Sequence, residues 1–314
     1  MIYDVIIIGG GPAGLTASLY SSRARLKTLV IESYMVAVQA VLTEKIENYP
    51  GFPGGIGGFE LIENFKKQSR EFGSEFIIGD VKNIEETIQD NKRYFNVITD
   101  DKSFTALSII IASGAKLKEL GVEGEKKFQG RGVSYCATCD GAFFKDKDIV
   151  VIGGGDTAVE EALFLTRFGK KVTLIHRKDR LRATKVLQER AFENKKLDII
   201  WDSTLVKILG KDKIESCLLK NIKTNEEKSI ECSGVFIFVG YIPNASFSKD
   251  ILKLDKDGYI ITDKEMGTSK KGIFACGDCT SKRLRQVVTA CGDGATASFS
   301  AQAYVEDLKG IAYK

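Results

Sequence analysis

Short apolar runs bounded by charged or small residues set the pattern of this chain. In Val5-Ile6-Ile7-Ile8 the apolar residues are consecutive rather than alternating, as in a parallel strand covered on both faces. The pattern predicts a strand over Asp4 to Ile8, a turn over Gly9-Gly10-Gly11-Pro12-Ala13-Gly14, a helix to about Arg25 and a second strand over Lys27 to Glu32. The same series recurs later: a strand from Asp148 to Ile152, the turn Gly153-Gly154-Gly155-Asp156-Thr157-Ala158, a helix ending near Gly169, and a strand from Val172 to His176. Each series is a βαβ unit. Each is followed by an apolar strand running into glycine, Ile109 to Gly114 in the first and Val235 to Gly240 in the second.

The expected fold class is therefore α/β, with two Rossmann-like dinucleotide-binding domains. After Gly240, the strand-like Gly272-Ile273-Phe274-Ala275-Cys276 leads into Gly277-Asp278 and a helical segment from about Gln286 to Glu306. That tail is too short to stand alone, so it is expected to complete the first module, with the second module inserted in it. The expected domains are residues 1–115 with 246–314, and residues 116–245 between them, hinged near Gly114 and Gly240.

The 314 residues are 43% apolar and 28% charged, a globular balance with enough length for two cores. A net charge of +4 from 46 basic and 42 acidic residues leaves no long single-sign block, so nucleic acid is not an expected partner. The apolar runs fall far short of the roughly 20 residues of a spanning helix, and no basic and apolar leader precedes the first strand. Neither a membrane nor a signal peptide is expected, and the expected location is cytoplasmic. Seven scattered cysteines argue against a secreted disulfide scaffold and for thiols in a reducing compartment.

Gly9-x-Gly11-x-x-Gly14 places glycine where a dinucleotide site needs it, for a tight turn, close approach of backbone to pyrophosphate, and packing of helix on sheet. Pro12 and Ala13 open the helix whose N-terminus faces the phosphates. Glu32, 18 residues after Gly14, ends the second strand where a carboxylate accepts hydrogen bonds from a ribose 2′-hydroxyl and repels a 2′-phosphate. The second series, with Gly153, Gly155, Asp156, Thr157 and Ala158, instead ends in His176-Arg177-Lys178-Asp179-Arg180-Leu181-Arg182. Arg177, Lys178 and Arg182 can surround a 2′-phosphate, which favours NADPH over NADH; a solvated basic loop is the alternative. His176 is the only histidine, placed as a nucleotide-site residue with packing as the competing role.

Cys136-Ala137-Thr138-Cys139 lies among small residues, and two cysteines at this spacing can close a small disulfide and tune each other's acidity. With no spare histidine, Asp140 is the nearest candidate to protonate a departing thiolate, a task that needs burial to keep a carboxyl protonated at neutral pH. Capping a turn is its alternative role. A second pair, Cys276-Gly277-Asp278-Cys279, could in principle join the first in a four-thiolate zinc site. Cys276 ends an apolar strand and reads as a buried structural cysteine, so no metal is expected. Cys217, Cys232 and Cys291 have no partner pattern.

At these residues the chain resembles the low-molecular-weight thioredoxin reductases, of the pyridine nucleotide-disulfide oxidoreductase family. Cys-Ala-Thr-Cys-Asp-Gly, two fingerprints, the His176-Arg177-x-x-x-x-Arg182 loop and Gly277-Asp278 come in matching order over nearly the whole chain. The resemblance implies a homodimer with FAD on the first domain, NADPH on the second, and thioredoxin as protein substrate. It also implies that Asp278 bonds the flavin ribityl chain and that Arg285-Gln286-Val287 starts a helix beside the isoalloxazine ring. Glu47-Asn48-Tyr49-Pro50-Gly51 matches a further FAD-contacting stretch, and Gln39, Asn48, Gly114 and Gly277 fall among the FAD positions. Cys139 is implied to lie nearer the ring, with Cys136 exchanging with the partner.

The chain departs from the family pattern at Ala37-Val38, where two glycines usually precede Gln39. If those glycines serve positive φ or close backbone approach, side chains here would be strained and the flavin seat altered. Lys178 replaces the usual arginine, keeping charge but losing the planar fork. Cys139 and Gly153 are only 14 residues apart, so disulfide and nicotinamide share one module and are expected to take turns at the flavin by rotation about the crossings. The rivals are a reductase of a peroxiredoxin-type or glutaredoxin-like partner, one fed by ferredoxin, against which the basic loop argues, and a flavin-binding redox sensor with little turnover.

Overall fold

The first strand, Ile2–Ile8, lies inside a parallel sheet and is covered on both faces, which is why its apolar residues are consecutive. The computed structural model describes residues 1–34, 38–89 and 92–312. Its contacts divide the chain into two compact units, Met1–Lys116 with Ile242–Lys314, and Leu117–Tyr241. The helices among the described residues are α1 (Pro12–Arg23), α2 (Gly58–Glu71), α3 (Ala137–Asp140), α4 (Asp156–Leu165), α5 (Lys185–Glu193) and α6 (Val287–Lys309).

In the first unit the parallel strands run in the order Glu75–Ile78, Thr28–Glu32, Ile2–Ile8, Ser103–Ile111. Ile273–Ala275 joins parallel to the end of Ser103–Ile111, and the antiparallel pair Lys92–Thr99 and Val81–Gln89 continues from its start. Alternate residues serve opposite faces. Val5, Ile7, Val30 and Ile110 pack with Ala13 and Ala17 of α1 and Ala297, Ala301 and Val305 of α6. Ile6, Ile8, Leu29, Ile31, Ile109 and Ile111 pack with Phe95, Val97, Leu252 and Ile260. Each fully buried isoleucine contributes on the order of 2 kcal/mol relative to leaving it in water.

The tail belongs to this first unit. Gln286 caps α6 through a reciprocal capping box with Thr289, and Gly310 ends it in the left-handed conformation. Helix α6 lies against α1 so closely that a Cβ on Gly294 would sit 2.2 Å from the Ala13 carbonyl oxygen. The Ser21 and Ser298 hydroxyls share a hydrogen bond of 2.8 Å between the two helices.

The second unit repeats the theme with an all-parallel sheet in the order Leu197–Ile200, Lys171–Ile175, Asp148–Gly153, Gly234–Phe238, Val133–Ser134. Val151, Leu174 and Phe236 pack with Val159, Ala162 and Leu165 of α4. Val150, Ile152 and Val235 pack on the opposite face with Leu205, Ile208 and Leu219 of an antiparallel sheet formed by Ser203–Gly210, Ile214–Asn221 and Glu227–Glu231. Helix α4 stops at Leu165 rather than near Gly169, because Thr166 turns its hydroxyl onto the Leu163 carbonyl and the chain leaves the helix there. The chain crosses between units on Ala115–Leu117 and Tyr241–Pro243, which pair with each other. No helix among the described residues is long and apolar enough to cross a membrane.

Candidate functional site

The first fingerprint is shaped by what its glycines exclude. Gly9 has φ +119°, and a Cβ there would lie 2.2 Å from the Ala112 carbonyl oxygen, so the turn accepts glycine alone. A Cβ on Gly14 would lie 1.9 Å from the Gly9 carbonyl oxygen, which is how α1 starts against the turn. At Gly11 the nearest neighbour of such a Cβ is Val38 Cγ1 at 3.9 Å, so the backbone there is open to a ligand. Pro12 stands in the first turn of α1, next to the buried Ala13, and no side chain caps the helix start, which leaves its N–H groups for an anion. Glu32 stands over the loop: a Cβ on Gly10 would meet its Oε1 at 2.3 Å. Its Oε2 accepts from Lys66 Nζ of α2 at 2.5 Å, an ion pair with no signature in the sequence.

Gly277 and Asp278 come up beside this loop, with the Gly277 backbone next to Ala13. The Gly277 N–H donates to Asp293 Oδ2 at 3.1 Å, and the same carboxylate is ion-paired with Lys282. Asp278 Oδ1 is buried with no hydrogen-bond partner among the described residues. Burial raises its pKa, against the opposing pull of Lys282 and Arg285. The Arg285 guanidinium stacks 4.0 Å from the centre of the Tyr259 ring and donates to the Asp278 and Thr280 carbonyls. Gln286 Oε1 accepts from Asn48 Nδ2 at 3.0 Å, joining residues 238 apart in sequence. Val287 packs on the cluster of Ile46, Ile56 and Leu61.

Gly114 takes φ +66° with open space where a side chain would be. Gln39 begins a short 3-10 turn, Gln39–Leu42. Of the two residues that replace the family's glycines, Ala37 lies outside the described residues. Val38 has φ −64° and ψ +117°, a conformation ordinary for valine, so the strain expected there is absent.

In the second unit, His176 occupies the place that Glu32 holds in the first: a Cβ on Gly154 would lie 2.2 Å from its Nδ1. Burial lowers the pKa of His176, and Arg182 and Arg177 lower it further against the backbone of Gly153 and Arg180, which favours the cation. The neutral ring is thereby favoured, and its buried Nε2 has no hydrogen-bond partner among the described residues. Arg177, Lys178 and Arg182 are exposed. Their loop is tied down by the Arg182 N–H on the Gly154 carbonyl at 2.7 Å, by the Thr184 N–H on Asp156 Oδ1 at 2.6 Å and by the Asp202 N–H on the Lys178 carbonyl at 3.4 Å. Asp156, expected among the nucleotide-binding residues, also fastens the loop. The Thr157 hydroxyl bonds the Tyr241 hydroxyl at 3.1 Å, and Ala158 is buried against Gly153, where a further Cβ would come within 2.4 Å of its own.

The same unit carries Cys136 and Cys139, joined in a disulfide with Cα atoms 5.4 Å apart. Cys136 caps α3, and the Cys139 N–H donates to its Sγ at 3.1 Å. The Ser134 hydroxyl braces Cys136, accepting from its N–H and donating to its carbonyl. The Tyr135 hydroxyl donates to Glu125 Oε1 at 2.6 Å, and the buried Glu125 carboxylate also accepts the N–H groups of Leu120, Gly121 and Val122. The Ala137 N–H donates to Glu161 Oε2 of α4 at 3.1 Å. Nothing in the sequence singled out Glu125 or Glu161. Asp140 is half-buried, and its side chain makes no cap on the following turn, Gly141–Phe144.

Cys276 and Cys279 are fully buried thiols, their pKa values raised by that burial. Among the described residues no group of three or more His, Cys, Asp or Glu side chains is placed to hold a metal ion.

Residues 3–294 match the family described as pyridine nucleotide-disulphide oxidoreductase. The chain belongs to that family. Similar members include the thioredoxin reductase of Listeria innocua, 48% identical over 98% of this chain and 95% of its own, and that of Bacillus subtilis, 48% identical over 98% and 96%. Among solved structures, a Lactococcus lactis thioredoxin reductase is 48% identical with a TM-score of 0.93, covering 97% of this chain and 99% of that one. A T. acidophilum thioredoxin reductase has a TM-score of 0.90 at 34% identity, covering 96% of this chain and 98% of that one.

Proposed function

We propose that this oxidoreductase is a thioredoxin reductase that draws two electrons from NADPH, by way of FAD, to reduce the Cys136–Cys139 disulfide and then a disulfide of thioredoxin. The observation that carries the reading is the closed Cys136–Cys139 disulfide at the start of α3, on the same unit as the second fingerprint and its basic loop. The names of relatives at 48% identity support it.

The first unit's residues suit FAD. The open backbone at Gly11 and the start of α1 fit a pyrophosphate, Glu32 a ribose, and the orphaned Asp278 Oδ1 a hydroxyl of the ribityl chain. FAD supplies the exchange between two-electron hydride chemistry and disulfide reduction. On the second unit, Arg177, Lys178 and Arg182 would hold a 2′-phosphate and His176 would offer Nε2 to the nucleotide. Two electrons break the sulfur–sulfur bond, and one sulfur leaves as a thiolate, which Asp140 protonates. Cys136 then attacks the thioredoxin disulfide, and Cys139 resolves the mixed disulfide so that thioredoxin departs as a dithiol. Disulfide and NADPH residues share one unit and the FAD residues the other, so the two would have to serve the flavin in turn, as rotation about the crossings would allow.

Five free cysteines among the described residues favour a reducing compartment, the cytoplasm. Val288 and Phe299, both exposed, lie three turns apart on one face of α6 and suit an interface with a second copy. Light scattering should therefore give a dimer mass. The deciding assay is NADPH-dependent reduction of thioredoxin by wild type and by Cys136→Ser. Loss of activity in a variant that still holds FAD is expected, and full activity in it would overturn the proposal.

A further inference from the structure

We infer that Glu161 is a positioning residue for the redox pair: it holds a negative charge at the start of α3, so that the reduced pair is less thiolate and more strongly reducing. The inference rests on the reading of Cys136–Cys139 as the exchanging disulfide. Among the N–H groups of this turn are two that meet side-chain acceptors. That of Cys139 points to Cys136 Sγ at 3.1 Å, and that of the fully buried Ala137 to Glu161 Oε2 at 3.1 Å. N–H groups at a helix start stabilise a thiolate there and lower its pKa. Here one such donor favours a negative sulfur at Cys136, while the other is engaged by a carboxylate whose charge opposes it. The Ser134 hydroxyl, which also bonds Cys136, is neutral; Asp140, in the same turn and next to Cys139, is the proton donor of the proposed reaction, so Glu161 is the carboxylate whose charge is fixed on the Cys136 side. Glu161 itself lies on α4, five residues after Asp156, so the helix that opens at the second fingerprint also delivers this charge to the disulfide.

Reduction adds two electrons and breaks the sulfur–sulfur bond; uptake of one proton gives a thiol and a thiolate, and of a second gives two thiols. A carboxylate bonded to the Ala137 N–H, one residue from Cys136, disfavours the thiolate form. Because stabilising the reduced form raises a disulfide's potential, withholding that stabilisation lowers it.

The test uses the whole protein as wild type, Glu161→Gln, Glu161→Asp and Glu161→Ala, equilibrated at neutral pH in dithiothreitol redox buffers, acid-quenched and scored for reduced Cys136 and Cys139. The rate at which iodoacetamide alkylates the reduced pair is measured alongside. Glutamine keeps an acceptor for the Ala137 N–H but removes the charge. It is expected to shift the equilibrium about threefold to tenfold toward the dithiol, about 30 mV at the upper end, and to speed alkylation severalfold. Aspartate, which keeps the charge, should stay near wild type. A wild-type potential and alkylation rate in Glu161→Gln, with change only in Glu161→Ala, would reduce Glu161 to a backbone cap and overturn the inference while leaving the reductase reading intact. A wild-type pair that does not exchange with dithiothreitol would overturn both.

Discussion

Asp156 Oδ1 accepts the Thr184 backbone N–H at 2.6 Å and so fastens the basic loop to the start of α4. Asp156→Ala is expected to raise the KM for NADPH about fivefold with kcat changed less than about twofold, since roughly 1 kcal/mol of hydrogen bonding that orders the loop is lost. Steady-state kinetics check this. An unchanged KM would mean that the Arg182 tie to Gly154 suffices.

Arg182 reaches toward the open backbone of Gly155, its guanidinium 3.8 Å from where a Cβ would stand. Arg182→Ala should lower the preference for NADPH over NADH, measured as the ratio of kcat/KM values, by about tenfold or more. Equal losses with both nucleotides would point to a role other than reading the 2′-phosphate.

His176 is buried, and its pKa is lowered from an ordinary value of 6.5. The folded protein then binds fewer protons at this site than the unfolded chain once the pH falls toward that value. The stability associated with the neutral ring is present above it and declines below it. His176→Asn should flatten the fall in Tm between about pH 7.5 and about pH 5.5. Parallel wild-type and variant curves would show that the ring is not held neutral.

Asp278 combines a raised pKa with an oxygen that has no partner among the described residues, a cost that a bound hydroxyl would relieve. Asp278→Asn should raise the Tm of the FAD-free protein by about 2–4 °C and weaken FAD retention about tenfold. Dialysis followed by absorbance of the retained flavin measures the second effect. A variant that loses stability and keeps FAD would count against Asp278 as a cofactor ligand.

Much of the fold is legible in the chain because buried parallel strands leave consecutive apolar residues. Val5-Ile6-Ile7-Ile8 and Ile149-Val150-Val151-Ile152 announce themselves, and the glycines after them mark where backbone must turn or approach closely. Helix ends were less legible. The stop of α4 at Leu165 depends on where one threonine hydroxyl turns, which periodicity does not record. Val38 is free of backbone strain because of its angles, which residue type does not record.

The residue types and spacing of the sequence by themselves determined two nucleotide fingerprints with different strand ends, an acid in one and a histidine with cations in the other, and a cysteine pair ahead of the second. Only the tertiary structure decided which charges stand against them. Lys66 on Glu32, Asp156 on the basic loop, Glu125 beneath Tyr135 and Glu161 on the disulfide helix are all contacts between elements distant or merely incidental in sequence. The physical reason is that a charge acts through distance and burial. Both are set by how helices and strands pack, and the order of residues along the chain does not carry them.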